Sequence, residues 1–362
     1  MVKKENFNQQ GCQVVCNLII ISISYFYVKL VNFRKIIAMK IYKKINEIPY
    51  NENRTITVGS FDGVHSGHLQ IIKHLKETAQ KKNLVATVIT FEPHPQIYFS
   101  QKKNNSFPLL TTTEEKISIF KSLGINELFI IEFDDKIANL KPDEFVYYLK
   151  SIGFSAFVIG YNHNFGKDRK GDFEVLQKIN DENKNNEKEQ FEIIQVPKFT
   201  GVNPKTNKNN AKVSSTEIRK NLQEAAIEEA NKLLGYNYFA VGKVIRGNSI
   251  GKKLGFPTAN IEISNNKLLP KNGVYACTVA VSDKKYCGVA NIGYRPTITN
   301  SNFSAIAKPV FEVHILDFSA DIYDAIITVS FMKFLREEKK FAHQNELILQ
   351  IQNDIEICRK YF

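Results

Sequence analysis

The chain has 362 residues, more than one ordinary domain holds, so two domains are expected. Its 43% hydrophobic content is enough for two cores and excludes a wholly disordered chain. A net charge of +12 points to anionic partners (nucleic acid, a membrane surface or phosphorylated small molecules), while five scattered cysteines without a C-x-x-C exclude a disulfide framework or zinc ribbon and favour a reducing compartment.

Residues 1–38 carry five basic residues against Glu5, leaving +8 for the other 324. Val14–Val28 is an apolar run of 15 residues, short of the about 20 that a spanning helix needs, and no A-x-A-like cleavage site follows. This stretch reads as a non-native or upstream-start extension ahead of Met39, with an anchor or a disordered tail as alternatives.

Beyond it, short apolar runs alternate with helical patterns. Strands are predicted at Thr55–Val58, Leu84–Phe91, Glu127–Phe133, Ala156–Gly160 and Phe191–Val196. Helices are predicted at Gly67–Lys82, Thr113–Leu123, Pro142–Ser151 and Ser214–Leu234, with Thr113 as an N-cap and Gly124 as a stop. This rhythm argues for a parallel sheet covered on both faces. Residues 181–190 and 203–210 are polar, Asn- and Lys-rich loops, the second lid-like. After Gly235, short strands dominate: Phe239–Ile245, Gly273–Val281, Lys285–Asn291, Val310–Phe318 and Ala325–Phe334. That pattern predicts an antiparallel barrel or sandwich, followed by a helix at Asn345–Cys358.

The decapeptide Gly59–His68 joins a predicted strand to a predicted helix and contains Gly59, Phe61, Gly63, His65 and His68. Unpaired amides at a helix N-terminus attract anions, imidazoles donate to phosphate oxygens, and glycines admit a nucleotide to the backbone. A lone H-x-x-H would be a solvated turn; strand, turn and helix around H-x-G-H make a nucleotidyltransferase signature. Phe91-Glu92-Pro93-His94-Pro95 and Gly160-Tyr161-Asn162-His163-Asn164-Phe165-Gly166 end two further strands at the same edge, where ligands of parallel sheets bind. Val213-Ser214-Ser215-Thr216-Glu217-Ile218-Arg219 reads as a capped helix start that leaves Arg219 free to reach a phosphate.

Together these segments resemble the adenylyltransferase module of the bacterial bifunctional riboflavin kinase/FMN adenylyltransferase family, from about Met39 to Leu222. The resemblance implies that His65, His68, Ser214, Ser215, Thr216 and Arg219 hold ATP phosphates, and that His94 and Asn162 line the flavin pocket. The chain departs from the family pattern at Asn162-His163-Asn164-Phe165, where many members carry Asp-Phe-Arg or Asn-Phe.

The segment Gly242–Asn260 is rich in glycine and lysine but is not a Walker A loop, since Gly247 and Gly251-Lys252 are one residue too close and Lys253 replaces the Ser/Thr. Gly255-Phe256-Pro257-Thr258-Ala259-Asn260 resembles the P-T-A-N signature of riboflavin kinases. Lys271–Tyr275, Gly288–Gly293, Arg295-Pro296-Thr297, Phe311-Glu312-Val313-His314 and Phe334–Phe341 match in order. The resemblance implies that Thr258 and Asn260 bind the magnesium–nucleotide, with Thr258 as metal ligand, and that Glu312 is the general base. It also implies a nucleotide-side role for Gly247, Gly251 and Lys252, and a weaker flavin-side role for Arg336. Asp324 stands where most members have glycine, and an aspartate tolerates positive φ.

The expectation is therefore an α/β plus β architecture, with a Rossmann-like nucleotidyltransferase domain at 39–234 and an antiparallel β-barrel riboflavin kinase domain with a terminal helix at 235–362. Riboflavin, ATP, FMN, FAD and pyrophosphate are the expected partners, with Mg2+ as cofactor and a cytoplasmic location. Nucleic acid is not expected as a partner, nor a membrane, and self-association is left open. A single-activity nucleotidyltransferase with an accessory β domain is the alternative.

Overall fold

The structure, a computed structural model, describes residues 38–182, 190–200, 213–247, 251, 254–294 and 309–362. The apolar run at 14–28, most of the two polar loops, Lys252 and the Arg295-Pro296-Thr297 motif lie outside the described residues.

The first part alternates strands and helices: β1 (Lys40–Tyr42), β2 (Arg54–Val58), α1 (Ser66–Lys82), β3 (Val85–Glu92), α2 (Pro95–Gln101), α3 (Thr113–Ser122), β4 (Glu127–Glu132), α4 (Asp135–Asn139), α5 (Pro142–Lys150), β5 (Ala156–Gly160), α6 (Phe173–Glu182), β6 (Glu192–Val196), α7 (Ser215–Gln223) and α8 (Ile227–Leu234). The strands form a parallel sheet in the order β1-β4-β3-β2-β5-β6. The central strands β2 and β5 are buried along their whole length, as expected of a sheet covered on both faces. Their C-terminal ends lead into the segments singled out in the sequence, with β2 running into Gly59–His68 and β5 into Tyr161–Gly166.

Two predicted helices differ. The N-cap of α3 is Thr112, not Thr113: its hydroxyl accepts the Glu115 amide, and the Glu115 carboxylate accepts the Thr112 amide in return. The predicted helix Ser214–Leu234 is split into α7 and α8 at Ala225, whose φ is +60°. An unbroken helix would set Ile227 about 140° around the axis from Leu222. The break lets Ile218 and Leu222 share one core with Ile227, Ala230, Leu233 and Leu234.

The second part comprises β7 (Phe239–Ile245), β8 (Ala259–Glu262), β9 (Gly273–Val281), β10 (Lys284–Tyr294), β11 (Pro309–Ile315), β12 (Ile326–Arg336) and α9 (Gln344–Arg359). Antiparallel pairing closes the strands in the order β10-β11-β8-β7-β12-β9. β8 escaped the sequence pattern because it is four residues long, yet it completes the ring between β7 and β11. Asp324 adopts φ +64° and pairs with Lys243 at 2.7 Å, so the aspartate does accept the left-handed turn. Outside the ring, α9 is held by Arg336, which donates twice to Asp354 Oδ2 (2.8 and 3.1 Å) and once to Oδ1 (3.0 Å).

Sheet and barrel belong to one compact unit. Lys267, in the stretch between β8 and β9, pairs with Glu115 of α3 at 2.7 Å, both side chains essentially without solvent. The other Glu115 oxygen accepts the Val241 amide of β7 at 3.0 Å.

Candidate functional sites

The turn after β2 takes conformations that side chains rarely adopt: φ is +47° at Phe61, +80° at Gly63 and +35° at Val64. Gly63 is required there, since a Cβ would also lie 2.8 Å from Leu110 Cδ1. The turn delivers His65 to the N-cap of α1, where its Nδ1 accepts the His68 amide at 3.3 Å. Acceptance at Nδ1 places the proton of the neutral His65 ring on Nε2. The rings of His65 and His68 stack with centroids 3.7 Å apart. His68 Nδ1 is buried with no protein partner.

Burial pushes the His65 pKa down to about 4. His68 lies well below the ordinary histidine value, first through burial and then through the neighbouring His65, His163 and Lys116. Near neutral pH these rings therefore offer N–H donors and dipoles rather than positive charge.

His94 caps α2, accepting the Gln96 amide on Nδ1 at 3.0 Å and stacking on Phe107. Its Nε2 is buried and unpartnered, and burial lowers its pKa to about 4. Beyond β5, the side chain of Asn162 is exposed. Its neighbour His163, which the sequence reading quoted but did not select, has a buried Nε2 without a partner and a pKa lowered by burial to about 4. The Cβ position of Gly160, at the end of β5, lies 2.9 Å from Ile71 Cδ1 on α1, so this loop starts one turn from His68. The signal available in the sequence was a histidine following a third strand at the ligand edge.

At α7 the Ser214 hydroxyl accepts the Glu217 amide at 3.3 Å, as the capping pattern predicts. Ser215 donates to the Asp62 carbonyl at 2.8 Å, and Thr216 is exposed. Arg219 differs from expectation: it is not free but forms an ion pair with Asp62. It also donates to the Pro108 carbonyl and lies 4.4 Å over the Phe107 ring. Asp62 is 3% exposed and accepts the Leu110 and Thr111 amides at 2.9 and 3.2 Å. The sequence reading passed over this carboxylate inside its own decapeptide because the partner lies far along the chain. It also passed over Lys116, which is buried and donates to the Ser60 carbonyl at 3.3 Å.

In the barrel, strand register brings the second set together. Glu312 on β11 lies opposite Asn260 on β8 and Asn291 on β10. Thr258 donates its hydroxyl to Glu312 Oε2 at 3.3 Å. A Cβ on Gly247 would sit 2.1 Å from Asn260 Nδ2, so only glycine lets the two strands bring that amide against the loop. Gly251 is similarly close, its Cβ position 2.4 Å from the Phe256 carbonyl. Arg336 is engaged with Asp354 on α9 rather than with this group. Among the described residues no three His, Cys, Asp or Glu side chains are placed to hold a metal. The side-chain oxygens of Thr258 and Asn260 nevertheless fit Mg2+, a hard cation that takes few protein oxygens and fills its shell with water and phosphate.

Residues 47–217 match the FAD synthetase family, and residues 234–362 match the riboflavin kinase family. The chain is 36% identical over 328 residues to the bifunctional riboflavin kinase/FMN adenylyltransferase of Buchnera aphidicola subsp. Schizaphis graminum, covering 90% of this chain and 99% of that protein. Identity to the protein of the same name from Listeria monocytogenes is 35%, over 86% of this chain and 93% of the other. A crystal structure of a macrolide-efflux protein from Streptococcus pneumoniae superimposes with a TM-score of 0.74 at 28% identity, over 89% of this chain and 98% of that one. With both halves matched, the accessory-domain alternative gives way: the chain belongs to the bifunctional riboflavin kinase/FMN adenylyltransferase family.

Proposed function

We propose that residues 235–362 transfer the γ-phosphoryl group of ATP to riboflavin, and that residues 39–234 join the resulting FMN to AMP from a second ATP, releasing pyrophosphate. The observation that carries this reading is the presence of two chemically different sites, each inside the half that matches the corresponding family.

The barrel reaction needs a proton acceptor, because the riboflavin 5′-hydroxyl must lose its proton as it attacks. Glu312 is assigned that role, oriented by the Thr258 hydroxyl on Oε2. Asn260 and the loop that carries Gly247 and Gly251 are assigned to the nucleotide. Magnesium arriving with ATP would be held by Thr258 and Asn260 and would offset phosphate charge.

The sheet reaction needs no such base. The FMN phosphate is already ionised and attacks the α-phosphorus directly; the new P–O bond forms as the bond to pyrophosphate breaks. Donors aimed at the phosphate oxygens suffice, and neutral His65 and His68 at the α1 N-terminus are donors of that kind. Ser214, Ser215, Thr216 and Arg219 complete the phosphate side, while His94 and the Asn162 loop are assigned to the flavin side.

Among the described residues no helix is long and apolar enough to cross a membrane. A cytoplasmic location is part of the proposal. The test supplies the chain with riboflavin, ATP and Mg2+ and separates FMN from FAD by chromatography. Unconverted riboflavin would refute the kinase assignment, and FMN without FAD would remove the adenylyltransferase half.

A further inference from the structure

We propose that Lys267, a residue of the barrel half, is a positioning residue for the adenylyl-transfer site in the sheet, acting through a single peptide unit on Asp62 and Arg219. The proposal rests on the assignment of adenylyl transfer to the sheet.

The Lys267 ammonium donates to the Leu110 carbonyl at 2.7 Å. The N–H at the other end of that same peptide unit, Thr111 N, donates to Asp62 Oδ1 at 3.2 Å. The Leu110 amide donates to the same oxygen at 2.9 Å, and the second Asp62 oxygen pairs with Arg219. A cation on a peptide carbonyl polarises the unit and strengthens donation from its N–H, and buried hydrogen bonds in series reinforce one another. The chain of contacts thus runs from ammonium to peptide, to carboxylate, to guanidinium.

The segment that receives Lys267 is also the bed of Arg219. Phe107 lies under the guanidinium and the Pro108 carbonyl accepts from it. Thr111 extends the same support to the histidine turn, its hydroxyl accepting the Gly63 amide at 3.0 Å. Both the guanidinium and the turn that carries His65 therefore take their positions from residues 107–111, which the barrel grips on the far side. The grip also includes hydrogen bonds in both directions between Leu109 and the barrel residues Asn266 and Leu268.

Packing alone does not require a cation at position 267. The ammonium is buried over the Tyr238 ring at 4.4 Å, where an apolar side chain of similar length would fill the space. What the charge adds is a strong donor to Leu110 and a partner for Glu115.

The experiment uses the full chain and assays both steps in the same preparation. Glu115→Gln with Lys267→Met removes both buried charges together, so neither is left unpaired. The expected result is a fall of about tenfold or more in kcat/KM for FAD formation, carried mainly by the KM for ATP, with FMN formation at the parent level. On an Asp62→Asn background the same exchange adds less than about twofold, because the route is already cut. Lys267→Arg, which keeps a cation and a donor, retains FAD formation where Lys267→Met loses it. Unchanged FAD formation, full additivity with Asp62→Asn, or equal losses in Lys267→Arg and Lys267→Met would each overturn the proposal. The kinase step reports folding of every variant, and assays run at a temperature where that step is intact. A parent chain that forms no FAD would instead sink the assignment on which the proposal rests.

Discussion

In the sheet, the residues proposed to meet the nucleotide offer aromatic nitrogens held out of water; in the barrel, the residues proposed for that role offer oxygens in partial contact with it. His65, His94 and His163 are each held near pKa 4 by burial, and His68 is lower than its ordinary value for the same reason. Glu312, Thr258 and Asn260 are only partly buried. The contrast follows the two reactions. Adenylyl transfer starts from a nucleophile that has no proton to lose, so fixed neutral donors serve it. Phosphorylation of a hydroxyl requires a carboxylate that can take up a proton and hard donors suited to a cation.

The contrast breaks first at Glu312. Glu312→Gln is expected to lower ADP formation from riboflavin and ATP by about 10²–10⁴-fold, while FAD formation from supplied FMN is unchanged. Loss of both steps together would mean that the sites are not separate. Next is His68→Ala, expected to lower FAD formation by about 10²–10³-fold through loss of a phosphate donor, with FMN still accumulating. If FMN production fell as well, the histidine pair would be supporting the whole molecule and not one site.

Acid sharpens the comparison. A histidine with a folded pKa near 4 and an unfolded pKa near 6.5 is neutral in both states above 6.5. Below that value the unfolded chain takes up protons that the folded one refuses, so stability is lost progressively from about pH 6.5 down to about 4. The melting temperature should fall over that window, and His163→Asn should flatten the fall. A profile identical to that of the parent would show that His163 is not held neutral by burial. The smallest effect is expected at Asp324→Gly. Glycine relieves a left-handed backbone but removes the exposed contact with Lys243, and the two nearly cancel in the melting temperature. A large shift of either sign would reveal a further role for this turn.

The sheet strands were legible because parallel strands covered on both faces are apolar throughout, as β5 is at Ala156–Gly160. The short elements were not. β1 has three residues, and α2 buries only Ile97 of its seven, too few positions to display a period. The break at Ala225 lies within Glu-Ala-Ala, which favours a helix locally; burial of residues from both helices in one core overrides that preference. At the proposed sites, a local motif singled out His65 and His68, which are close in sequence and stack in space, whereas Thr258 and Glu312 each lie in a short motif of their own and meet across 54 positions. Asp62 and Arg219 meet across 157 positions, on a bed that a third segment supplies. No local pattern encodes that arrangement, and Arg219 looked unengaged until the fold was in view.

Closure of the ring from β7 to β12 bears on how the molecule fails. A closed barrel presents no row of unpaired amides to another chain, whereas an open sheet ends in two edges. β1, at three residues, is too short to template a partner, but β6 offers five, with Ile193 and Ile194 half-buried at its centre. Among the described residues β6 has no strand on its outer side, so on partial unfolding it is the strand expected to add to another copy. Glu192, exposed on that edge beside Lys82, is the charge that opposes such addition, and its replacement by an apolar residue should favour aggregation before it alters either activity.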